Sequence, residues 1–294
     1  MILVVGATGL VGGIIARTLL DQGLGVRILV RPDSNYQPLV VAGAEPVEGD
    51  LKDPSSLAPA CAGIETIITT ASSGSRGGAD TPQSVDVDGN RHLIDAAVKA
   101  SVQRFIFVST IAASADSPVD LLRAKAKTEE YLRNSGLQHT ILASDAFLDT
   151  LVPLVVGGPA RSGQTVTLVG EGKHQHSFIA SRDVAAFAVA ATGHPAAINQ
   201  RVVIAGPEPV SFRDVVAAYE RVLGRSIRVE TVAPGQLLPN LPPVPGLVET
   251  ISGMMAALET FDSPIDIEGT ARTFGVRLTP LEEYVRLETA SAPA

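Results

Sequence analysis

Residues 1–13 read MILVVGATGLVGG, an apolar run that passes directly into a glycine-rich segment. The run Ile2–Val5 is apolar and rich in β-branched residues, which is typical of a buried strand. Gly6, Gly9 and Gly12 follow it at three-residue spacing, and a helical pattern comes next. In such a strand–turn–helix unit the glycines permit a sharp turn, a close backbone approach and tight packing of the helix on the sheet. The free N–H groups at the start of that helix favour an anion, so the segment predicts a phosphate-binding turn.

Short apolar strands alternate with longer helical patterns through the first half of the chain. The strand candidates are Ile2–Val5, Val26–Val30, Glu45–Glu48, Thr66–Thr70, Phe105–Ser109 and His139–Leu142, and the helix candidates are Val11–Gln22, Pro54–Ala60, Val87–Ala100 and Asp120–Asn134. This alternation predicts right-handed βαβ units and a parallel sheet. Runs such as RILV and FIFV are apolar on both strand faces, so helices are expected on both sides of the sheet.

The pattern changes after about residue 145, where the segments become shorter and more varied. They predict strands at Thr165–Leu168, Ser177–Ile179, Arg201–Ala205 and IRVETV, a helix at Asp183–Ala191, a helix capped by Ser211 and Asp214 and ended by Gly224, and a helix capped by Thr279 before a frayed tail, ETASAPA. Another helix follows the proline-rich NLPPVPG. The stripe of this helix, Leu247, Ile251, Met254, Met255 and Leu258, is either a core face or the lining of a substrate channel.

The fold class is therefore α/β, a Rossmann-type doubly wound parallel sheet with a small C-terminal α+β lobe. We assign residues 1–149, completed by about 182–206, to the Rossmann domain, and residues 150–181 and 207–294 to a small lobe for substrate or partner.

Composition limits the classes of function. The 294 residues carry a formal net charge of −8 without a long block of like charges, which argues against nucleic-acid binding. The one cysteine, Cys61, excludes an internal disulfide and a cysteine-rich metal site. His174 and His176 share a strand face without a clear third ligand, so no metal is predicted. With neither a basic leader nor an apolar stretch of about 20 residues, we expect a cytoplasmic protein with no membrane insertion.

Because the glycine triad lies at the first strand of a βαβ series, it predicts that the turn binds the pyrophosphate of a dinucleotide. The turn residues expected to contact this dinucleotide are Gly6, Ala7, Thr8, Gly9, Leu10 and Val11. The second strand ends VRILVRPDS and has Arg31 where an NAD-selecting fold has an acid. A guanidinium pairs with a 2′-phosphate, and Ser34 adds a hydroxyl donor, so NADP(H) is favoured over NAD(H). The alternative is that Arg31 is a surface charge and that Asp33 binds the ribose.

Ligands of parallel sheets bind outside the carboxyl ends of the strands, which adds further candidates. The expected contacts are Asp50 and Leu51 for the adenine, Ala71 and Ser72 for the phosphates or the nicotinamide ribose, and Ser109 at the end of the fifth strand. The glycine-rich loop at residues 73–82 is either a lid over the ligand or a surface loop.

The chain resembles the NmrA-like branch of the atypical short-chain dehydrogenases/reductases in the segments VVGATGLVGG, LVRPDS, EGDL, GNRHLIDAAVKASVQRFIFVST, AKAKTEEYLRNSGLQHTIL and GPEPVSFRDVVAAY. The resemblance runs over nearly the whole chain and implies a Rossmann fold that binds NAD(P). It leaves the activity open, because this family includes quinone and isoflavone-type reductases as well as redox-sensing regulators and assembly factors.

Most short-chain dehydrogenases use a Tyr-x-x-x-Lys pair, which this sequence lacks. Its tyrosines are Tyr36, Tyr131, Tyr219 and Tyr284, and the residues four positions on are Val40, Ser135, Leu223 and Glu288. The lysine of the family matches Lys125, which shares a helical stripe with Leu121 and Thr128. We predict that Lys125 contacts the nicotinamide ribose, and it is the catalytic candidate because burial lowers the pKa of a lysine. The alternative is a structural ion pair with Glu129.

A second departure from the family pattern lies at QHTILASDAF, where the resemblance implies T-I-L-R-P-x-x-F. Ala143 and Ser144 replace the arginine and the proline, which leaves a smaller and more neutral pocket. Asp145 and Phe147 then become the candidates to face a substrate. The alternative is that Phe147 belongs to the core and that Asp145 caps the next helix.

Two functions fit these features. The first is an NADP(H)-dependent oxidoreductase that reduces a small apolar acceptor of the quinone or enone class, since hydride delivery to a quinone needs little acid assistance. The second is a non-catalytic NADP(H)-binding redox sensor or assembly factor, in which the coenzyme changes a conformation that a protein partner recognises. We favour the enzyme.

Overall fold

The computed structural model describes residues 1–74, 78–239, 241 and 247–291, which fold into two units. The first unit contains Met1–Ser144, Ser181–Ile204 and Thr270–Val276, and the second contains Asp145–Ala180, Ala205–Gly269 and Arg277–Ala294. Thr270–Val276 falls in the predicted small lobe by sequence. This segment packs in the first unit instead, where the rings of Phe274 and Phe187 lie 5.9 Å apart.

A seven-stranded parallel sheet forms the centre of the first unit. In chain order the strands of the described residues are β1 Ile2–Val5, β2 Val26–Val30, β3 Glu45–Glu48, β4 Thr66–Thr69, β5 Arg104–Thr110, β6 Gln138–Ser144, β7 Val166–Val169, β8 Gln200–Ile204 and β9 Val229–Val232. The sheet has the order β3-β2-β1-β4-β5-β6-β8, which confirms the predicted Rossmann-type fold. The order reverses between β1 and β4, and folds of this class bind ligands at that point. Val5 pairs with Leu29 and with Thr69, so the carboxyl ends of these three strands are level.

Helices cover the sheet of the first unit. In chain order the α-helices of the described residues are α1 Leu10–Asp21, α2 Gln37–Val41, α3 Leu57–Cys61, α4 Asn90–Lys99, α5 Asp120–Arg133, α6 Leu148–Val152, α7 Gly158–Arg161, α8 Ser181–Ala191, α9 Phe212–Leu223, α10 Leu247–Leu258, α11 Glu268–Phe274 and α12 Leu281–Ser291. Residues of α3, α4 and α5 share one apolar core with Leu3 and Phe105. Val4 and Ile28, on the opposite strand face, are also fully buried, as a sheet covered on both sides requires.

The helix expected at Val87–Ala100 has a different beginning. A π-helix runs over Pro82–Gly89 and passes directly into α4. It starts at a capping box in which the Thr81 side chain accepts a hydrogen bond from the backbone N–H of Ser84. This capping box, with a proline in the first turn, ends the loop predicted at residues 73–82 one residue early. Ser75–Gly77, within that loop, lie outside the described residues.

The second unit is built around β7 and β9, which pair in parallel. The predicted caps of α9 are confirmed, because the Ser211 side chain accepts from the N–H of Asp214 and Gly224 ends the helix at φ 65°. The strand predicted at Ser177–Ile179 is wrong: Ile179 forms only an isolated bridge, with Phe147. A segment of three residues fits a single bridge as well as a ladder, so periodicity over three residues cannot separate the two.

Helices α10 and α12 complete the second unit. Ile251 and Met255 of α10 are buried in its core, which supports the core-face interpretation of that stripe, while most of NLPPVPG lies outside the described residues. The prediction of a frayed tail from Glu288 is wrong as far as Ser291, since α12 continues that far. Glu288 accepts a hydrogen bond from Tyr219 and pairs with Arg161, and these contacts hold the helix end. None of the described helices combines the length and the apolar character needed to cross a bilayer.

Candidate functional site

The turn between β1 and α1 is built on glycine. Gly6 has φ 86°, and a Cβ there would lie 2.6 Å from Thr70 Oγ1. A Cβ on Gly12 would lie 2.6 Å from the carbonyl carbon of Gly6, so the first turn of α1 presses against the end of β1. Gly9 is the N-cap of α1 and brings no side-chain cap. The N–H groups of the first helical turn are therefore free of side-chain caps and are oriented to bind an anion.

One pocket lies beside this turn, at the carboxyl ends of β1, β2, β3 and β4. It is lined by the predicted residues Gly6, Thr8, Arg31, Ser34, Asp50, Leu51, Ala71 and Ser72, together with Val5, Leu29, Gly49, Asp80 and Val85. Of the other predicted turn residues, Ala7 and Val11 are buried, Leu10 is 57% exposed and Gly9 is the helix cap. Asp33, the alternative ribose ligand, is exposed and is not among the lining residues.

Three charged side chains meet at one side of this pocket. Arg31 Nη1 lies 2.9 Å from Asp80 Oδ2, and Lys52 Nζ lies 2.6 Å from Asp80 Oδ1. Lys52, and after it Arg31, hold the pKa of the Asp80 carboxyl at about 2 despite its burial. The Ser34 hydroxyl donates to the carbonyl of Arg31 at 2.6 Å, so its proton is already engaged. The sequence analysis missed Lys52, which directly follows the EGDL motif, and Asp80, for which no local signal exists.

Lys125, on α5, is buried beside the carboxyl half of β5. Its Nζ lies 3.3 Å from Asp86 Oδ1, 3.4 Å from the carbonyl oxygen of Val108 and 4.9 Å from the centre of the Phe107 ring. Burial lowers the pKa of Lys125, and the neighbouring Asp86 carboxylate opposes that shift. The contact with Asp86 is an ion pair and the contact with Val108 is a hydrogen bond, so the ammonium group, with three N–H donors, keeps at least one for a ligand.

Glu129, the alternative partner of Lys125, is engaged elsewhere. Its carboxylate accepts from Ser109 Oγ at 2.6 Å, from Arg133 at 2.6 Å and from Arg201 at 2.9 Å. The structural ion pair of Lys125 is therefore with Asp86, and the alternative pair with Glu129 is wrong. Ser109 is buried by the same network, so its hydroxyl proton is already used, and it is absent from the residues that line the pocket.

Asp86 links Lys125 to the end of β4. Its Oδ2 accepts from both the backbone N–H and the hydroxyl of Ser73, at 2.9 and 2.7 Å. Its carbonyl oxygen accepts from Thr128 Oγ1 on α5 at 2.5 Å. The sequence analysis did not select Asp86, because alternation with Val85 and Val87 in SVDVDG does not distinguish a buried acid from an exposed one.

Asp145 begins the second unit with a buried carboxyl group. Its Oδ1 accepts from the N–H of Ala146 at 2.7 Å, and Oδ2 has no hydrogen-bond partner in the part of the chain that the structure describes. Burial raises the pKa of Asp145 to about 6. The N-cap of α6 is Phe147, so the alternative that Asp145 caps this helix is wrong. Phe147 is half-buried rather than part of the core.

Replacing Asp145 with asparagine tests this burial. Because folding raises the pKa of the carboxyl from 3.8 to about 6, the wild type is stabilised while Asp145 is protonated and loses that contribution as the pH rises through 6. The variant has no such loss. We expect its free energy of unfolding, relative to wild type, to rise by about 2–3 kcal/mol between about pH 3.5 and about pH 7.5. Urea unfolding across this pH range measures it, with Asp116→Asn as an exposed control, and a difference that stays flat with pH contradicts the expectation.

The two histidines of GKHQHSF form separate contacts. His174 Nδ1 lies 3.1 Å from Asp262 Oδ1 at the surface. His176 is buried, with Nδ1 2.7 Å from Ser263 Oγ and Nε2 3.0 Å from the carbonyl oxygen of Leu258, and burial lowers its pKa. Within the described ranges, no group of three or more His, Cys, Asp or Glu residues is placed to hold a metal ion.

The family relationship of this chain follows from its sequence, since residues 1–285 match the model of the NmrA-like family. The chain belongs to the NmrA-like family. This confirms the resemblance stated from the sequence motifs.

Proteins similar to this chain include both reductases and an assembly factor. NAD(P)H azoreductase of Xenophilus azovorans is 30% identical over 274 residues, which cover 93% of this chain and 91% of the azoreductase. Photosystem II assembly factor Ycf39 of Cyanophora paradoxa is 35% identical over 231 residues, which cover 79% of this chain and 71% of that factor. Among solved structures, triphenylmethane reductase of Citrobacter sp., complexed with NADP(H), has the same fold at a TM-score of 0.82 and 20% identity, over 97% of this chain and 99% of that chain. This NmrA-like chain is thus similar both to reductases and to an assembly factor.

Proposed function

We propose that this NmrA-like protein is an oxidoreductase that binds NADP(H) and reduces a small apolar acceptor of the quinone or conjugated-carbonyl class. The observation that supports this most directly is the pocket beside the glycine turn, which Arg31 and Asp80 line next to an uncapped helix start, with Lys52 paired to Asp80. The kinship with an NAD(P)H azoreductase supports the same class of chemistry.

The residues of the pocket fit a dinucleotide. Because they lack a Cβ, Gly6 packs against Thr70 and Gly12 packs against the backbone of Gly6, which gives the tight turn that a pyrophosphate-binding site requires, and the start of α1 supplies N–H donors. Arg31 and Lys52 supply positive charge for a 2′-phosphate, and Asp50 and Leu51 border the part of the pocket that would take the adenine. Ala71 and Ser72, after β4, would lie along the phosphates.

The chain's own residues limit how a proton reaches the acceptor. The bound coenzyme supplies the hydride, and the protein supplies position and electric field. Tyr219 donates to Glu288 and Tyr131 donates to Asp95, so both hydroxyl groups serve structural contacts. Lys125 keeps at least one N–H donor, which we assign to the nicotinamide ribose or to a proton transfer. A quinone suits this arrangement because its reduced oxygen needs little acid assistance.

Assay of NADPH oxidation with quinones, enones and azo dyes tests the proposal. The wild type is expected to oxidise NADPH with at least one acceptor, and Lys125→Met is expected to lower kcat/KM by about 10- to 100-fold. The double variant Lys125→Met/Asp86→Asn avoids an unpaired buried carboxylate and should show the same loss. Lys127→Met, at an exposed position of the same helix, is the matched control and should retain activity. Equal activity in wild type and Lys125→Met would remove Lys125 from the proposal, and NADPH binding without any turnover would reject the reductase.

The second candidate is a non-catalytic NADP(H)-binding sensor or assembly factor. The 35% identity with Ycf39 and the lack of a Tyr-x-x-x-Lys pair favour it. It requires that NADPH binds without turnover and that a protein partner binds unequally with and without the coenzyme. Partner capture that does not respond to NADPH would count against it.

A further inference from the structure

The contacts of Asp80 bear on how the pocket distinguishes its ligands. Its side chain is only 9% exposed, and its two carboxylate oxygens face different cations, Oδ2 towards Arg31 and Oδ1 towards Lys52. Asp80, like Arg31, lines the pocket beside the glycine turn. The two cations best suited to a 2′-phosphate are therefore already paired with an anion of the protein itself.

The charges of Asp80, Arg31 and Lys52 decide how the pocket interacts with a ligand that carries a phosphate. The Asp80 carboxylate is ionised throughout the physiological pH range, since the two cations hold its pKa at about 2. A 2′-phosphate would have to share both cations with this carboxylate or displace it, and two anions close together repel each other. A ribose 2′-hydroxyl carries no charge, and it can donate a hydrogen bond to a carboxylate, as it does to the acid of NAD-selecting folds. An ionised Asp80 is therefore expected to weaken the binding of NADPH more than the binding of NADH.

We infer that Asp80 is a specificity-determining residue, which lowers the preference for NADPH over NADH below the level that Arg31 and Lys52 alone would give. This inference rests on the proposed function, because it requires that the pocket binds a nicotinamide dinucleotide. The inference requires that removal of the Asp80 carboxylate, which is paired with two cations, strengthens the binding of NADPH.

Titration calorimetry with NADPH and NADH separates this role from a purely structural one. Asp80→Asn keeps the size of the side chain and removes its charge, so we expect the Kd for NADPH to fall about tenfold, while the Kd for NADH stays the same or rises. We define the NADPH/NADH ratio as the preference for NADPH, which is the Kd for NADH divided by the Kd for NADPH. Asp80→Ala should raise this ratio as Asp80→Asn does, which covers the case that one variant folds poorly. Asp33→Asn removes an exposed carboxylate near the same strand end and should leave the ratio unchanged. Arg31→Ala should lower the ratio.

The outcomes distinguish failure of the inference from failure of the proposed function. An NADPH/NADH ratio that stays constant or falls in both Asp80 variants overturns the role of Asp80. Because coenzyme still binds in that case, the proposed coenzyme site would stand. Equal weakening of both coenzymes would show that Asp80 only holds the segment before Pro82 in place, and it would overturn the inference as well. A wild-type protein that binds neither coenzyme would reject the coenzyme site and the inference together.

Discussion

Gly12→Ala is expected to weaken NADP(H) binding by about 10- to 100-fold. The added Cβ would contact the carbonyl oxygen of Gly6 and lie 2.6 Å from its carbonyl carbon and 2.8 Å from Thr70 Oγ1. The Gly6 atoms belong to the backbone and cannot rotate away as the end of a long side chain can. The turn between β1 and α1 must therefore open, which moves the N–H groups away from the position where they bind a pyrophosphate.

Calorimetric titration of NADP⁺ and a thermal unfolding scan measure the effect of Gly12→Ala. Gly193→Ala is the matched control, because a Cβ on Gly193 meets no atom within 4 Å. We expect the control to bind as the wild type does, and Gly12→Ala to lose about 1–3 kcal/mol of stability in addition to its affinity. Wild-type affinity in Gly12→Ala would show that the coenzyme does not rest on this turn.

Asp86→Ala is expected to lower the free energy of unfolding by about 3–5 kcal/mol. The change leaves the ammonium group of Lys125 buried without its carboxylate, 3.3 Å from where that group was. It also removes the acceptor of two hydrogen bonds from Ser73, whose N–H and hydroxyl are buried. An unpaired buried cation and two unsatisfied donors each destabilise the folded state.

A double-mutant cycle separates these contributions. Adding Lys125→Met to Asp86→Ala removes the unpaired cation, so the double variant is expected to be more stable than Asp86→Ala alone. Urea unfolding of the four proteins gives the coupling free energy between the two side chains. Asp88→Asn, two residues further along the same π-helix, is the control, since among the described residues Asp88 accepts only from the exposed Gln83 side chain. A stability of Asp86→Ala within about 1 kcal/mol of wild type would contradict the ion pair.

Local chemistry is what made the pocket beside the glycine turn predictable. The glycine turn, the apolar strands and Arg31 at the end of β2 are each defined by neighbouring residues, and parallel strands bring their carboxyl ends to one edge. The caps of α9 were found for the same reason, because Ser211 and Asp214 act within one helical turn.

Failures of prediction share a different physical cause. Phe178 and Ile179 have the apolar character of a strand, but only a bridge forms, at Ile179, because a ladder also needs a partner strand in register. The tail from Glu288 is predicted to fray as chain ends usually do, yet Tyr219, 69 residues away in sequence, donates a hydrogen bond to Glu288. In both cases the deciding group lies far along the chain.

The sequence by itself determined the Rossmann-type sheet, the glycine turn and the position of Arg31 beside it, since periodicity and short motifs report which backbone geometry a segment adopts. Only the tertiary structure decided which charges meet. Asp80 reaches Arg31 across 49 residues of sequence, and Lys125 pairs with Asp86 rather than with Glu129 on its own helix. Ion pairs depend on distance in space and on burial, and neither quantity is encoded in the spacing of residues along one segment.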